Sequence, residues 1–278
     1  MKKSLKKTLY AGVLGFTVFG LGACAGGSSG DGSDDNETIT VGASSTPHAE
    51  ILNQAEDELA DEGYDLEVEV FDDYVLPDQA LADGDLDANY FQHEPYLDNF
   101  NDENDTDLVP AAQIHFEPLG LYPGQTESID DLEDGAEIAI PNDATNGARA
   151  LLLLEEAGLI ELSDDSGVTA TTQDIEENPK DLEITELEAS QIARTVEDVD
   201  LAVINGNYAV EGGFDVQDDA LEIEEEGSEA ADTYANIVAV RNGDEDDPAI
   251  EALIEAMQSD QVKDYMDEEY QGAVVPLF

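Results

Sequence analysis

Residues 38–71 read TITVGASSTPHAEILNQAEDELADEGYDLEVEVF, and this stretch sets the fold class. TITVGAS (38–44) has the character of a short apolar strand. Thr46 and Pro47 then supply a helix start, as N-cap and first residue, and Gly63 supplies a stop. Between them Ile51, Leu52, Ala55 and Leu59 fall on one helical face, with acids on the other. DLEVEVF (65–71) alternates apolar and charged residues with the period of two that a strand requires. Strand, amphipathic helix and strand in succession predict a parallel crossover unit.

The alternation continues along the chain. IAI (138–140), LEITEL (182–187), LAVI (201–204) and ANIVAV (235–240) read as further strands, and Asn146–Ala157, Ser190–Val196 and Pro248–Met257 as helices. The expectation is an α/β fold with mainly parallel sheets. ALADGDLDANY (80–90) and TVEDVDLAVIN (195–205) echo one another as helix end, acidic turn and strand, as two related lobes would. In open α/β sheets ligands bind beyond the C-terminal strand ends, so a cleft between two lobes is the expected site.

At the N-terminus Lys2, Lys3, Lys6 and Lys7 precede an apolar run from Leu9 to Leu21, too short to span a bilayer comfortably. It ends in Leu21-Gly22-Ala23-Cys24, which resembles a bacterial lipobox. Residues 1–23 are then a signal peptide, and Cys24, the sole cysteine, carries lipid and anchors the chain at the extracytoplasmic face of the membrane. Residues 24–37 are rich in Gly, Ser and Asp and read as a flexible tether. Cleavage would remove four lysines and no acids, leaving five basic residues against 69 acids spread over every segment. That charge excludes a nucleic-acid footprint. It suits a saline exterior, where the Debye length shrinks to about 3 Å at 1 M salt.

Arg149, one of only three arginines, stands in the first turn of the 146–157 helix, after the strand end and loop AIPNDATNG. Helix-start N–H groups favour an anion, and a guanidinium beside them can take a carboxylate with two parallel bonds; the competing reading is a surface ion pair. Asn146 is the expected N-cap and Gly158 the expected stop. Asn205 ends one strand and Asn236 opens another, and each reads either as a cap or as a partner for an amino or carboxylate group. DLDANYFQHEPYLDNF (85–100) concentrates Tyr90, Phe91, Tyr96 and Phe100 around His93 in a chain with no Trp. Phe91, His93 and Tyr96, with Tyr74, either line an apolar slot or fill a core. Asp83, Asp85, Asp87 and Glu94 match four positions of a calcium loop, but Ala88 stands where glycine is required. His48, His93 and His115 lack metal spacing, and no hydrolase or nucleotide-binding motif occurs. Neither enzyme activity nor a metal or cofactor is expected.

TPHAEIL (46–52), DYVLP (73–77), DANYFQHEPYLD (87–98), IAIPNDATNGARALLLLEEAGLI (138–160), DLAVINGNYA (200–209) and YANIVAV (234–240) together resemble the MetQ/NlpA family of methionine-binding lipoproteins. The resemblance implies a two-lobed, periplasmic-binding-protein-like fold of type II, with residues 38–118 plus 232–278 as one lobe and 119–231 as the other. It implies capture of L-methionine, or of another small amino acid or a methionine-containing dipeptide, for an ABC permease and its ATPase subunits. It implies a thioether cradled by Tyr74, Phe91, His93 and Tyr96, a carboxylate held by Arg149, and a head group fixed by Asn205 and Asn236. Tyr90 and Phe100 are left to pack inside the lobe. The chain departs from the family in its acidic exterior, which bears on the surface and not on these motifs.

Overall fold

The expected crossover unit is present, with one change inside it. The computed structural model describes residues 36–164, 166–225 and 229–278; the signal segment, Cys24 and nearly all of the tether lie outside them. Strands β1 (Glu37–Ser44) and β2 (Tyr64–Phe71) pair in parallel, Glu37 opposite Tyr64 through Ser44 opposite Phe71. The helix between them is broken. An irregular turn at Ser45–Ala49 leads to α1 (Glu50–Leu52), and α2 (Glu56–Glu62) follows after a further turn. Thr46 is extended (φ −136°, ψ 135°) and caps nothing. Local side-chain bonds replace the expected cap: Ser44 Oγ pairs with His48 Nδ1 at 2.6 Å, and Thr46 Oγ1 donates to Glu50 at 3.0 Å. Gly63 ends α2 in the left-handed region at φ 95°. Ile51, Leu52, Ala55 and Leu59 are fully buried, as their spacing predicts.

Next come α3 (Leu76–Asp83), β3 (Ala88–His93), α4 (Glu94–Asn104) and β4 (Leu108–Phe116). The middle of the chain forms β5 (Gly120–Pro123), β6 (Glu137–Pro141), α5 (Ala144–Glu156), a small pair β7 (Glu161–Leu162) and β8 (Ile175–Glu177), β9 (Glu183–Leu187), α6 (Ala189–Thr195), β10 (Leu201–Ile204), α7 (Gly206–Gly212) and β11 (Glu222–Ile223). The last part forms α8 (Glu229–Thr233), β12 (Asn236–Arg241), α9 (Pro248–Met257), α10 (Asp260–Tyr270) and β13 (Val275–Pro276).

Two main sheets result, with orders β13-β4-β12-β3-β1-β2 and β11-β5-β10-β6-β9. The chain passes from the first to the second through 117–119 and returns between β11, which ends at Ile223, and β12, which begins at Asn236. In both sheets the first three strands of the unit are parallel, and the strand arriving from the other sheet joins antiparallel: β12 on β3, and β5 on β10. The sheets are therefore mixed rather than mainly parallel, because the crossing strands enter from the opposite end. The fold is the two-lobed α/β architecture that the resemblance implied.

The internal echo corresponds to this repeated topology. β3 and β10 hold the same place in their sheets, and the acid before each clamps the first strand in the same way. Asp87 accepts from Thr40 N at 2.8 Å, and Asp87 N donates to Thr40 O at 2.9 Å. Asp200 accepts from Glu137 N at 2.9 Å, and Asp200 N donates to Glu137 O at 3.0 Å. Asp87 thus matches Asp200, two residues off the alignment of the quoted stretches.

The central strands of the second sheet, β6 and β10, are buried on both faces. Ile138, Ile140, Leu201 and Val203 pack with Leu151 and Leu154 of α5, whereas Ala139, Ala202 and Ile204 join the apolar cluster that also holds Ile39, Val41 and Ala43. Burial of both faces explains why these strands read as continuous apolar runs. Tyr90 and Phe100 are buried in the first lobe, as expected.

Candidate functional site

Seven side chains singled out from sequence line one cavity, whose empty space of about 340 Å³ includes its opening to solvent: Tyr74, Phe91, His93, Tyr96, Arg149, Asn205 and Asn236. Gln92, Glu117, Asn146, Gly206 and Asn207 complete the wall.

The aromatic end is built by β3, the start of α4 and the loop after β2. The Tyr74 ring lies 5.7 Å from both Phe91 and Tyr96, and Phe91 lies 6.2 Å from Tyr96. Tyr208 of α7 stacks on Tyr74 at 5.0 Å. His93 caps α4, its Nδ1 accepting from Tyr96 N at 3.2 Å. That bond leaves the proton on Nε2, which faces Asn146 Oδ1 at 3.2 Å. Burial and the nearby Arg149 charge hold His93 neutral, with its pKa lowered to about 3.

The polar end comes from α5, α7, β12 and the first crossing. The N-cap of α5 is Asp143, not Asn146: Asp143 accepts from Asn146 N at 2.8 Å. Asn146 therefore belongs to the first helical turn. Its Nδ2 donates to Asp143 at 3.0 Å, while its Oδ1 accepts from Asn205 Nδ2 at 2.8 Å. Asn205 Oδ1 is left buried without a partner, as is Gln92 Oε1. Asn207 is turned the other way: Tyr74 OH donates to its Oδ1 at 2.5 Å, and its Nδ2 is buried and unpartnered. Asn236 Oδ1 is taken by His48 Nε2 at 3.0 Å, which leaves its amide N–H groups.

Arg149 is 4% exposed and does not present an open fork. Its Nε–Nη2 edge is paired with Glu224, at 2.7 and 2.5 Å. Beside it, Glu117 receives His115 Nε2 at 2.9 Å, and His48 Nε2 lies 3.5 Å away. His115 Nδ1 is bonded to the Tyr90 hydroxyl. Burial lowers the pKa of His48 to about 4 and that of His115 to about 3, and raises that of Glu117. Two histidines without metal spacing in sequence thus meet around one buried acid, each Nδ1 held by a hydroxyl. The arrangement is that of an oriented hydrogen-bond network.

The unpartnered groups sort by type. Acceptors are Asn205 Oδ1 and Gln92 Oε1, with the Glu117 carboxylate beside them; donors are Asn207 Nδ2 and the amide of Asn236. Buried polar groups are ordinarily satisfied, so such a set calls for a molecule carrying both donors and acceptors. Among the described residues, the hydrogen bonds that cross the cleft include Tyr74 to Asn207, His93 to Asn146, and Tyr208 OH to Asp72 O at 3.3 Å.

The profile of the NlpA lipoprotein family matches residues 39–278. The chain belongs to the NlpA lipoprotein family. It is 43% identical over 275 residues to the methionine-binding lipoprotein MetQ of Bacillus subtilis, covering 98% of this chain and 99% of that one. A Ruminococcus gnavus crystal structure superposes with a TM-score of 0.86 at 54% identity, covering 87% of this chain and all (100%) of that one. A nutrient-binding protein from Burkholderia cenocepacia, solved bound to methionine, superposes with a TM-score of 0.82 at 41% identity, covering 86% and 100%. Among the described residues of this NlpA-family chain, no helix is long and apolar enough to cross a membrane.

Sequence reasoning missed Glu117, Gln92 and Asn207 of this cavity and Tyr208 stacked behind Tyr74, and it gave Asn146 the wrong role. Glu117 was hidden among 69 acids. Its signal was its setting: an acid between Phe116 and Pro118-Leu119, in a run that is otherwise apolar. Asn207 and Tyr208 lie in the same NGNYA stretch as Asn205, where the first turn of α7 brings all three to the cleft.

Proposed function

We propose that this chain captures free methionine between its lobes and presents it to an ABC permease with its ATPase subunits, while lipid on Cys24 holds it at the extracytoplasmic membrane face. The observation that carries the reading is the division of one cavity into an aromatic end and a polar end with both donors and acceptors unpaired. A zwitterionic head group needs both kinds, and a thioether packs against aromatic edges with ~0.3–1.5 kcal/mol per contact. In this reading the ammonium group meets Glu117, Asn205 Oδ1 and Gln92 Oε1. The carboxylate meets Arg149, Asn207 and Asn236, and the thioether lies among Tyr74, Phe91, Tyr96 and His93. The Arg149 charge is already offset by Glu224, which disfavours a net anion as ligand.

The lobes of this reading are residues 38–118 plus 232–278 and residues 119–231, hinged at the two crossings. The bonds across the cleft would latch closure, the state a permease would recognise. The relatives named above, one called methionine-binding and one solved with methionine, support the choice of ligand. The signal at 1–23, the tether at 24–37 and adaptation to external salt belong to the same reading and rest on composition.

The test is calorimetric titration of the chain lacking residues 1–24, in molar salt, after unfolding and refolding to strip any carried ligand. The expected result is tight one-to-one binding of methionine, with norleucine bound more weakly. A folded protein that gives no heat with methionine, or that prefers a methionine dipeptide or another amino acid, would overturn it.

A further inference from the structure

A guanidinium has five N–H donors, and Arg149 has committed three of them inside the protein. Nε donates to Glu224 Oε1, one Nη2 hydrogen to Glu224 Oε2, and Nη2 also donates to the Glu117 carbonyl at 2.9 Å. Tyr234 lies against the guanidinium plane at 4.5 Å and Phe116 at 5.7 Å. Among the described residues only Nη1 is left without a hydrogen-bond acceptor.

Glu224 is itself held by backbone. Its Oε2 accepts from Leu119 N at 2.8 Å, and its own N–H donates to Leu119 O at 3.1 Å. Leu119 closes the first passage between the sheets and Glu224 opens the second. One buried carboxylate, 6% exposed, therefore joins both passages to the cavity arginine.

We infer that Glu224 is a positioning residue: by occupying the Nε–Nη2 edge it makes Arg149 meet the ligand carboxylate end-on through Nη1, and it ties that contact to both interlobe passages. The inference rests on the head-group reading above. A fork fixed on both oxygens of one carboxylate cannot turn its paired edge to a second without breaking the charge-assisted pair. The ligand therefore finds a preset donor direction.

Two measurements test this. Arginine Nε–H resonances can be followed by NMR during methionine titration of the wild-type chain. Arg149 is assigned by elimination with Arg194→Lys and Arg241→Lys. Its Nε–H should stay in place as methionine saturates the site, and a large shift, showing that the fork has changed partners, would overturn the inference. Separately, Glu224→Gln should weaken methionine about tenfold or more while changing the affinity of methioninamide, which has no carboxylate, by less than about threefold. Equal losses for both ligands would reduce Glu224 to a structural role and overturn the inference. Failure of the wild-type chain to bind methionine would sink the proposed function and this inference together. Methionine binding with a displaced Nε–H would sink the inference alone.

Discussion

Asp78 is fully buried on α3, where its Oδ1 accepts from Asn89 at 2.8 Å and from Gln92 at 2.6 Å. Its Oδ2 and the Gln92 Oε1 are both buried without partners. Burial lifts its pKa from 3.8 to about 7 against the pull of those two amides. A raised folded pKa means that the native state holds the proton more tightly than the unfolded chain. This contribution to stability is full below the ordinary carboxylate pKa and is lost at ~1.4 kcal/mol per pH unit as pH rises toward the folded value. Asparagine at this position keeps the acceptor, places a donor where Oδ2 stands and has no proton to lose. Asp78→Asn should therefore be more stable than wild type at pH 7, with the advantage shrinking toward pH 4. Urea unfolding at several pH values checks this, and parallel pH profiles for the two proteins would contradict it. Gly206 makes a second prediction at this scale. A Cβ there would stand 2.7 Å from Glu117 Cβ and 3.0 Å from its Oε2. Gly206→Ala should cost about 1–3 kcal/mol, expressed largely as weaker methionine binding because Glu117 must shift. Affinity equal to wild type would show that Glu117 is not where the ligand binds.

Among the elements, α5 brings Asn146 and Arg149 to the cavity, and its start depends on Asp143. Asp143→Ala removes the cap, worth about 1 kcal/mol, and with it the bonds to Asn146 Nδ2 at 3.0 and 3.2 Å. Asn146 links His93 to Asn205 across the cleft. The variant should therefore melt lower and also bind methionine more weakly; a loss of stability with unchanged affinity would confine Asp143 to capping. The misreading of this start has a physical cause. Asn142, Asp143 and Asn146 are all competent caps within five residues, and only the tertiary pull of the cleft on Asn146 decides among them. The strands that were read, such as LAVI at 201–204, were legible because their apolar run was unbroken, whereas β4 and β5 were not read; α9 begins and ends where Pro248 and Met257 predict. The broken α1–α2 helix was not legible, since Ser44 and His48 form a tertiary network that outweighs a good local helix signal. The site divided in the same way. Rings, rare cations and strand-end asparagines stand out in this composition, whereas a cavity-lining glutamate among so many acids does not.

Across the whole molecule, charge sets the terms of stability. Against 69 acids there are nine lysines and arginines, and among the described residues only Arg149 and Arg241 form ion pairs with carboxylates. Self-repulsion of this size should ease as salt screens it. The urea midpoint of the folded chain should rise from dilute buffer into molar salt, and a midpoint independent of salt would remove the case for a saline habitat. The sheet order has a separate consequence, which concerns time. β12 lies between β3 and β4 in the first sheet, yet it begins at Asn236, long after both have been made. A chain emerging from its N-terminus can complete the second sheet while the first still has an empty lane through its middle. Residues near the end of the molecule are thus the keystone of the part that began first. A chain cut short before Asn236 would not be a slightly smaller protein but one with two exposed inner strand edges, and such edges invite aggregation.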